Sequence, residues 1–202
     1  HGTASGTPGK VRVVGKPERG TVTFRRGDFS FDPRVLDFRL ESGGAQHGMD
    51  FDAAGRKFVC SNSHHIQQVM YERRYARANP NFSPPSPVVD IPVDGASAPV
   101  FRLSPDEAWR VIRTRWRVAK QVSGPVEGGG RPSGYFTAAT GVTIYDGNAW
   151  PSAFSGDAFI ADAGSNLVHR KKLLRHRIQF TAERPDDERD REFLASTDNW
   201  FR

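Results

Sequence analysis

The residue of this chain best set to do chemistry is a histidine among glycines. His47 stands in Gly44-Ala45-Gln46-His47-Gly48-Met49. A neutral imidazole there could accept the proton of a sugar or alcohol hydroxyl, or it could hydrogen-bond a neighbouring loop and fix the glycine turn. Arg131 ends the run Glu127-Gly128-Gly129-Gly130-Arg131. Its planar guanidinium could clamp the carboxylate of an acidic ligand, or pair with Glu127. Asp162, Asn166 and His169 cluster at one expected strand end, and the first two offer oxygen atoms of the kind calcium prefers. Asp and Asn at such a turn more often cap backbone amides. Asp198 and Asn199 lead into what reads as the start of another strand and could face the same space as His47.

Other patterns carry less. The adjacent pair His64-His65 suggests a metal, but neighbouring residues on a strand point to opposite faces and rarely bind one ion together. The glycine-rich run before Arg131 lacks the Gly-Lys-Ser/Thr ending of a phosphate loop and the spacing of a dinucleotide fingerprint. Trp109, Trp116, Trp150 and Trp200 could stack on sugars, although buried tryptophans are commoner. Cys60 is the only cysteine, so no internal disulfide forms. Its setting, Phe58-Val59-Cys60-Ser61-Asn62, reads as a strand in which the thiol is a small buried apolar group. No Cys-x-x-Cys-His is present, so the chain carries no c-type haem of its own.

These side chains must be positioned by short strands. Residues 11–14, 21–25, 28–32 and 36–40 are strand candidates, with clear period-2 alternation in the second and third. Residues 49–52 and 57–62 flank Ala53-Ala54-Gly55-Arg56, where Gly55 supplies a positive φ and predicts a hairpin; residues 66–71 form a third strand beside it. Pro80, Pro84, Pro85, Pro87, Pro92 and Pro99 make residues 73–99 an extended loop. Strands resume at 100–103 and 110–118. In the latter, arginines alternate with larger apolar residues, giving one basic solvated face and one packed face. Residues 141–145, 157–162, 166–174 and 177–184 predict four short antiparallel strands, the content of one propeller blade.

Segments 49–62 and 141–162 share a plan: a short apolar strand, a turn, and a second strand carrying Phe-Val or Phe-Ile. The expected fold is therefore all-β, a partial β-propeller of four-stranded antiparallel blades over residues 1–202, with the Pro-rich insertion at 73–99. Propellers need roughly 4–8 blades. A chain of 202 residues supplies too few to close a ring, so it is expected to be a segment of a larger protein.

The formal net charge of +6 is spread along the chain, with dense spots at 110–117 and 169–177. It comes with no recognition helix, zinc-finger spacing or RNA-binding aromatic signature, so nucleic acid is not an expected partner. No apolar run approaches the roughly 18 residues of a membrane helix, so no span is expected.

Beyond these readings, Gly44–Met49 followed by Gly55-Arg56-Lys57-Phe58-Val59-Cys60-Ser61-Asn62-Ser63 resembles the membrane-bound dehydrogenase propeller family, large bacterial proteins that often carry a separate haem c domain. Residues 127–131, 156–170 and 196–202 fit the same family. Residues 141–174 also resemble a blade of the glucose/sorbosone dehydrogenase propellers, which use pyrroloquinoline quinone. The resemblance covers most of residues 20–202. It implies a segment of a quinone-dependent sugar or alcohol dehydrogenase, periplasmic in the bacterial cell envelope, passing electrons to a haem c domain outside this chain. It implies pyrroloquinoline quinone and calcium as cofactors, with His47 as base and Arg131 as cofactor clamp. Asp162, Asn166, His169, Asp198 and Asn199 would stand around the cofactor. The alternative is a non-catalytic propeller that binds carbohydrate or protein. One departure is His64 in Ser63-His64-His65, where the family suggests an acidic residue.

Overall fold

In the computed structural model, the described residues are Gly2, 9–24, 27–76, 79 and 81–201. Arg25, Pro80, Arg202 and most of the glycine-rich residues 1–8 lie outside them. The chain is mostly β-sheet, with four antiparallel sheets and few helices. Two hairpins come first: β1 (Gly9–Arg12) with β2 (Thr21–Phe24), and β3 (Asp28–Asp32) with β4 (Asp37–Glu41).

Two larger sheets follow. In the first, β5 (Gly48–Phe51), β6 (Lys57–Ser61), β7 (His64–Val69) and β8 (Val88–Asp90) pair in sequence order. In the second, β9 (Ala139–Ile144), β10 (Ala158–Asp162), β11 (Leu167–His176) and β12 (Gln179–Glu183) do the same, and the short β13 (Leu194–Ala195) adds to β11. Local chemistry explains the turns. Between β5 and β6, the Asp52 carboxylate accepts the amides of Ala54 and Arg56 at 3.0 and 2.9 Å, while Gly55 takes a φ of 76° that side chains resist. Between β10 and β11, Asp162 and a left-handed Asn166 (φ 57°) perform the same task.

The two sheets pack face to face, joined at both edges. At one edge β5 and β9 run together: the Gly141 amide and the Thr140 hydroxyl both donate to the His47 carbonyl at 2.9 Å, and the Ile144 amide donates to the Asp50 carboxylate at 2.7 Å. At the other edge, just past β8, Val93 and Ile91 exchange backbone bonds with Ala182 of β12. Between them lies one core, including Phe58, Cys60, Ile66, Val142, Ile160 and Phe180; each large apolar side chain buried there contributes roughly 1.5–3 kcal/mol. Cys60 is fully buried in it, as its strand context implied. The β3–β4 hairpin is tied on by the buried Lys57 ammonium, which bonds Asp28 at 2.6 Å and the Ser42 carbonyl at 2.7 Å.

Three local expectations change. The Pro-rich stretch is not loop throughout: it holds the short helix α1 (Arg73–Ala76) and supplies β8, the fourth strand of its sheet. Residues 100–103 form no strand; the Phe101 amide bonds the Glu192 carboxylate instead of a neighbouring strand. Residues 110–118, expected as a strand, belong to the helix α2 (Ala108–Val118). Their arginines fit two periods at once: besides alternating, Arg110, Arg113 and Arg117 fall at i, i+3 and i+7, one face of a helix. No helix among the described residues is long and apolar enough to cross a membrane.

Candidate functional site

α2 is fastened to the body of the protein by charge. Its leading residue Glu107 receives Arg102 at 3.2 Å and lies 3.3 Å from Arg110. Burial alone would raise the Glu107 carboxyl; the backbone hydrogen bond and these two guanidiniums outweigh it and hold the group below its usual range. Arg102 also donates to the carbonyls of Ser104, Pro105 and Gly164 and to the Asn199 side chain.

So anchored, α2 carries its faces in an unusual sense. Arg110, Arg113 and Arg117 turn toward the sheets, whereas Trp109, Ile112 and Trp116 are 54%, 43% and 49% exposed. Between the arginine face and the β6–β7 turn lies an open cleft of about 610 Å³, whose wall includes Gln46, Asn62, Glu127 and Thr137. Gln46 adjoins His47 and Ala138 adjoins β9, so the cleft sits beside the place where β5 and β9 begin. Arg110 is compensated by Glu107, and Arg117 lies 3.6 Å from Glu127. Arg113 has no carboxylate within ion-pair distance among the described residues; its guanidinium rests 4.8 Å from the Trp109 ring centre.

His47 and Thr140, at the starts of two strands far apart in sequence, meet directly. The His47 imidazole is exposed and makes no hydrogen bond among the described residues; the residue's backbone carbonyl does the joining. Arg131 is exposed and donates to its own loop at the Gly128 carbonyl, 3.0 Å away, rather than pairing with Glu127. Asp162 is buried and caps the β10–β11 turn, accepting the amides of Thr137, Gly164 and Ser165 at 3.0, 2.8 and 3.1 Å. Burial raises its carboxyl pKa against the pull of those amides. Asn166 accepts the Ser104 hydroxyl at 2.8 Å and donates to the carbonyls of Asn199 and Phe201. Asn199 is thus near Asn166, but through its backbone. Asp198 is exposed and caps the Trp200 amide at 2.8 Å.

His169 is elsewhere, fully buried, with Nδ1 2.6 Å from Glu192. Beside it His65 stacks on Phe136, with ring centres 4.3 Å apart, and Lys171 reaches Asp94 at 2.6 Å. Burial, reinforced by the Lys171 charge, pushes His65 down to about 3 and His169 well below its usual value. Burial likewise lowers Lys171 and raises Glu192. This is a packed polar core, closed to ligands. His64, on the opposite strand face from His65, is exposed and pairs with Asp90 at 2.8 Å, as strand alternation requires.

The oxygens that a calcium ion would need on Asp162 and Asn166 already accept amide and hydroxyl donors, so these residues as arranged do not fit the ion. No group of three or more His, Cys, Asp or Glu among the described residues could hold a metal. All four tryptophans are exposed rather than buried. The site residues that sequence reasoning missed are on α2, and the signal was available in the i, i+3, i+7 spacing of its arginines.

Comparison with curated proteins and with solved structures yields no match. A family profile described as a domain of unknown function, DUF7133, matches residues 1–202. The match runs the length of the chain, through both sheets, α2 and the cleft between them: the chain belongs to the DUF7133 family.

Proposed function

We propose that the two larger sheets are neighbouring blades of a β-propeller completed by other parts of a larger protein, and that the surface where their first strands begin binds a saccharide without transforming it. The observation that carries this reading is the joint at the His47 carbonyl, which accepts both Gly141 and Thr140 and brings the starts of β5 and β9 together beside the cleft. The sheet order supports the blade reading: each sheet is an up-and-down meander, first strands adjoin first and last adjoin last. The cleft is rich in amides and hydroxyls, which both donate and accept as sugar hydroxyls do. Its volume falls in the range of small-ligand sites.

Isothermal titration calorimetry of the chain against a panel of neutral and acidic oligosaccharides tests this. At least one saccharide should bind saturably, and Asn62→Ala should weaken it. A panel without any saturable binder at millimolar concentration would sink the reading.

One observation favours a second reading, oxidation of a sugar or alcohol by a quinone-dependent dehydrogenase that includes this chain. The His47 imidazole is exposed at the joint with no hydrogen bond of its own among the described residues, and so is available to take a hydroxyl proton. Pyrroloquinoline quinone and calcium would then be held by residues other than Asp162 and Asn166, and electrons would pass to a haem c domain in the periplasm. Dye reduction by the full-length parent supplied with quinone and calcium should be abolished by His47→Ala; unchanged turnover would exclude this role for His47.

A further inference from the structure

The geometry points to an anionic ligand: we propose that the cleft between α2 and the β6–β7 turn binds an oligosaccharide bearing carboxylate or sulfate groups, with Arg113 as the residue that selects the charge. This deepens the saccharide reading above and rests on it for the sugar, though not for the anion.

The charge argument begins with the orientation of α2. An amphipathic helix ordinarily turns its apolar face inward; here the basic face is inward, Ile112 and Trp116 stand in solvent, and Trp109 sits half-exposed at the edge of the cleft. Three guanidiniums therefore line one wall of the cleft, and among the described residues ion pairs join two of them to carboxylates, Arg110 to Glu107 and Arg117 to Glu127. The unbalanced charge is that of Arg113. Its Nε is buried with no hydrogen-bond acceptor among the described residues, as are those of Arg110 and Arg117. An oxyanion held against the Arg113 guanidinium supplies the countercharge that Arg110 and Arg117 already have. A guanidinium matches a planar carboxylate or a sulfate through two parallel N–H···O bonds.

The rest of the wall argues for a sugar as the carrier of that anion. The Asn62 amide and the Thr137 hydroxyl line the cleft and make no side-chain hydrogen bond among the described residues. They suit alcohol groups at fixed spacing. The indole of Trp109 adds an apolar plane beside Arg113. A nucleic acid would ask for a row of uncompensated cations along a phosphate track, whereas this cleft has one among the described residues.

The test uses calorimetry on the full chain with four probes: trigalacturonic acid, its fully methyl-esterified form, a heparin-derived tetrasaccharide and an oligothymidylate. Trigalacturonic acid or the heparin tetrasaccharide should bind saturably, the one that binds naming carboxylate or sulfate as the anion, and the methyl ester should bind at least tenfold more weakly than its acid if carboxylate is the anion. Arg113→Gln should weaken the acidic probe about tenfold, and Arg113→Lys should recover part of the loss. Both variants should melt with the parent, because Arg113 holds no ion pair among the described residues. Equal binding of acid and ester, unaffected by Arg113→Gln, would overturn the anion site while leaving saccharide binding standing. Absence of binding by every saccharide would overturn both. Tighter binding of oligothymidylate than of either acidic sugar would overturn the choice of carrier.

Discussion

Replacing Gly48 with alanine tests the joint on which the site depends. The glycine sits at the head of β5, and a Cβ built there would lie 2.9 Å from the Gly141 nitrogen and 3.0 Å from both the Val142 nitrogen and Cys60 Sγ. Two of these neighbours are backbone, so no side-chain rotation relieves the clash; β5 and β9 must separate until contact reaches about 3.5–4.0 Å. Overpacking of this sort costs about 1–3 kcal/mol. The separation also stretches the bonds to the His47 carbonyl, each worth about 1 kcal/mol net. Taking about 2–3 kcal/mol together, and a few degrees per kcal/mol for a domain of this size, the melting temperature should fall by roughly 5–10 °C. Thermal unfolding followed by far-UV circular dichroism measures it. Gly55→Ala is the control: that Cβ meets nothing within 4 Å, but the φ of 76° is left-handed, so the cost should be only about 1 kcal/mol. If Gly48→Ala melts with the parent, or above Gly55→Ala, the two sheets are not joined as described and the argument for a shared binding surface fails with them.

The remaining predictions concern the buried polar core. His65, held neutral with a folded value near 3, takes up a proton near its ordinary value of 6.5 once unfolded. Its contribution is therefore complete above pH 6.5 and is lost as pH falls toward 3, at up to about 1.4 kcal/mol per pH unit, with His169 acting in the same sense. Urea midpoints measured from pH 7 to pH 4 should fall steeply, and His65→Phe should flatten that slope; an unchanged slope would show that other groups set the acid limit. The Lys171–Asp94 pair should respond unequally to truncation, because the lysine is fully buried and the aspartate side chain is 27% exposed. Asp94→Ala strands an ammonium and should cost about 3–5 kcal/mol, while Lys171→Met leaves a carboxylate that water can reach and should cost clearly less by the same measurement.

What could be read from the sequence followed from local chemistry. The β5–β6 hairpin was legible because Asp52 and Gly55 dictate the turn on their own, and the four strands β9 to β12 because turn residues separate runs of the right length. The pairing of β8 was not, since three residues among prolines carry no periodic signal and become a strand only by the presence of β7. The helix α2 was misread because alternating arginines also satisfy a helical period, and its inverted orientation has no local sign at all. The likeness of segments 49–62 and 141–162 followed from their common order of strand, turn and strand. The fate of Asp162, Asn166 and His169 did not: whether such groups face a ligand or one another depends on partners such as Ser104 and Glu192, remote in sequence.

The edge-to-edge union of the sheets has a consequence for how such a chain can be varied. Phe58 of one sheet meets Phe180 of the other, and Ala182 is bonded to Ile91 and Val93 across the same divide. The main interior is shared between the halves; the first adds a small cluster of its own, Ala45, Val59 and Val69. Exchange of segments between relatives, or trimming of this chain to a smaller unit, therefore has to treat the pair as indivisible.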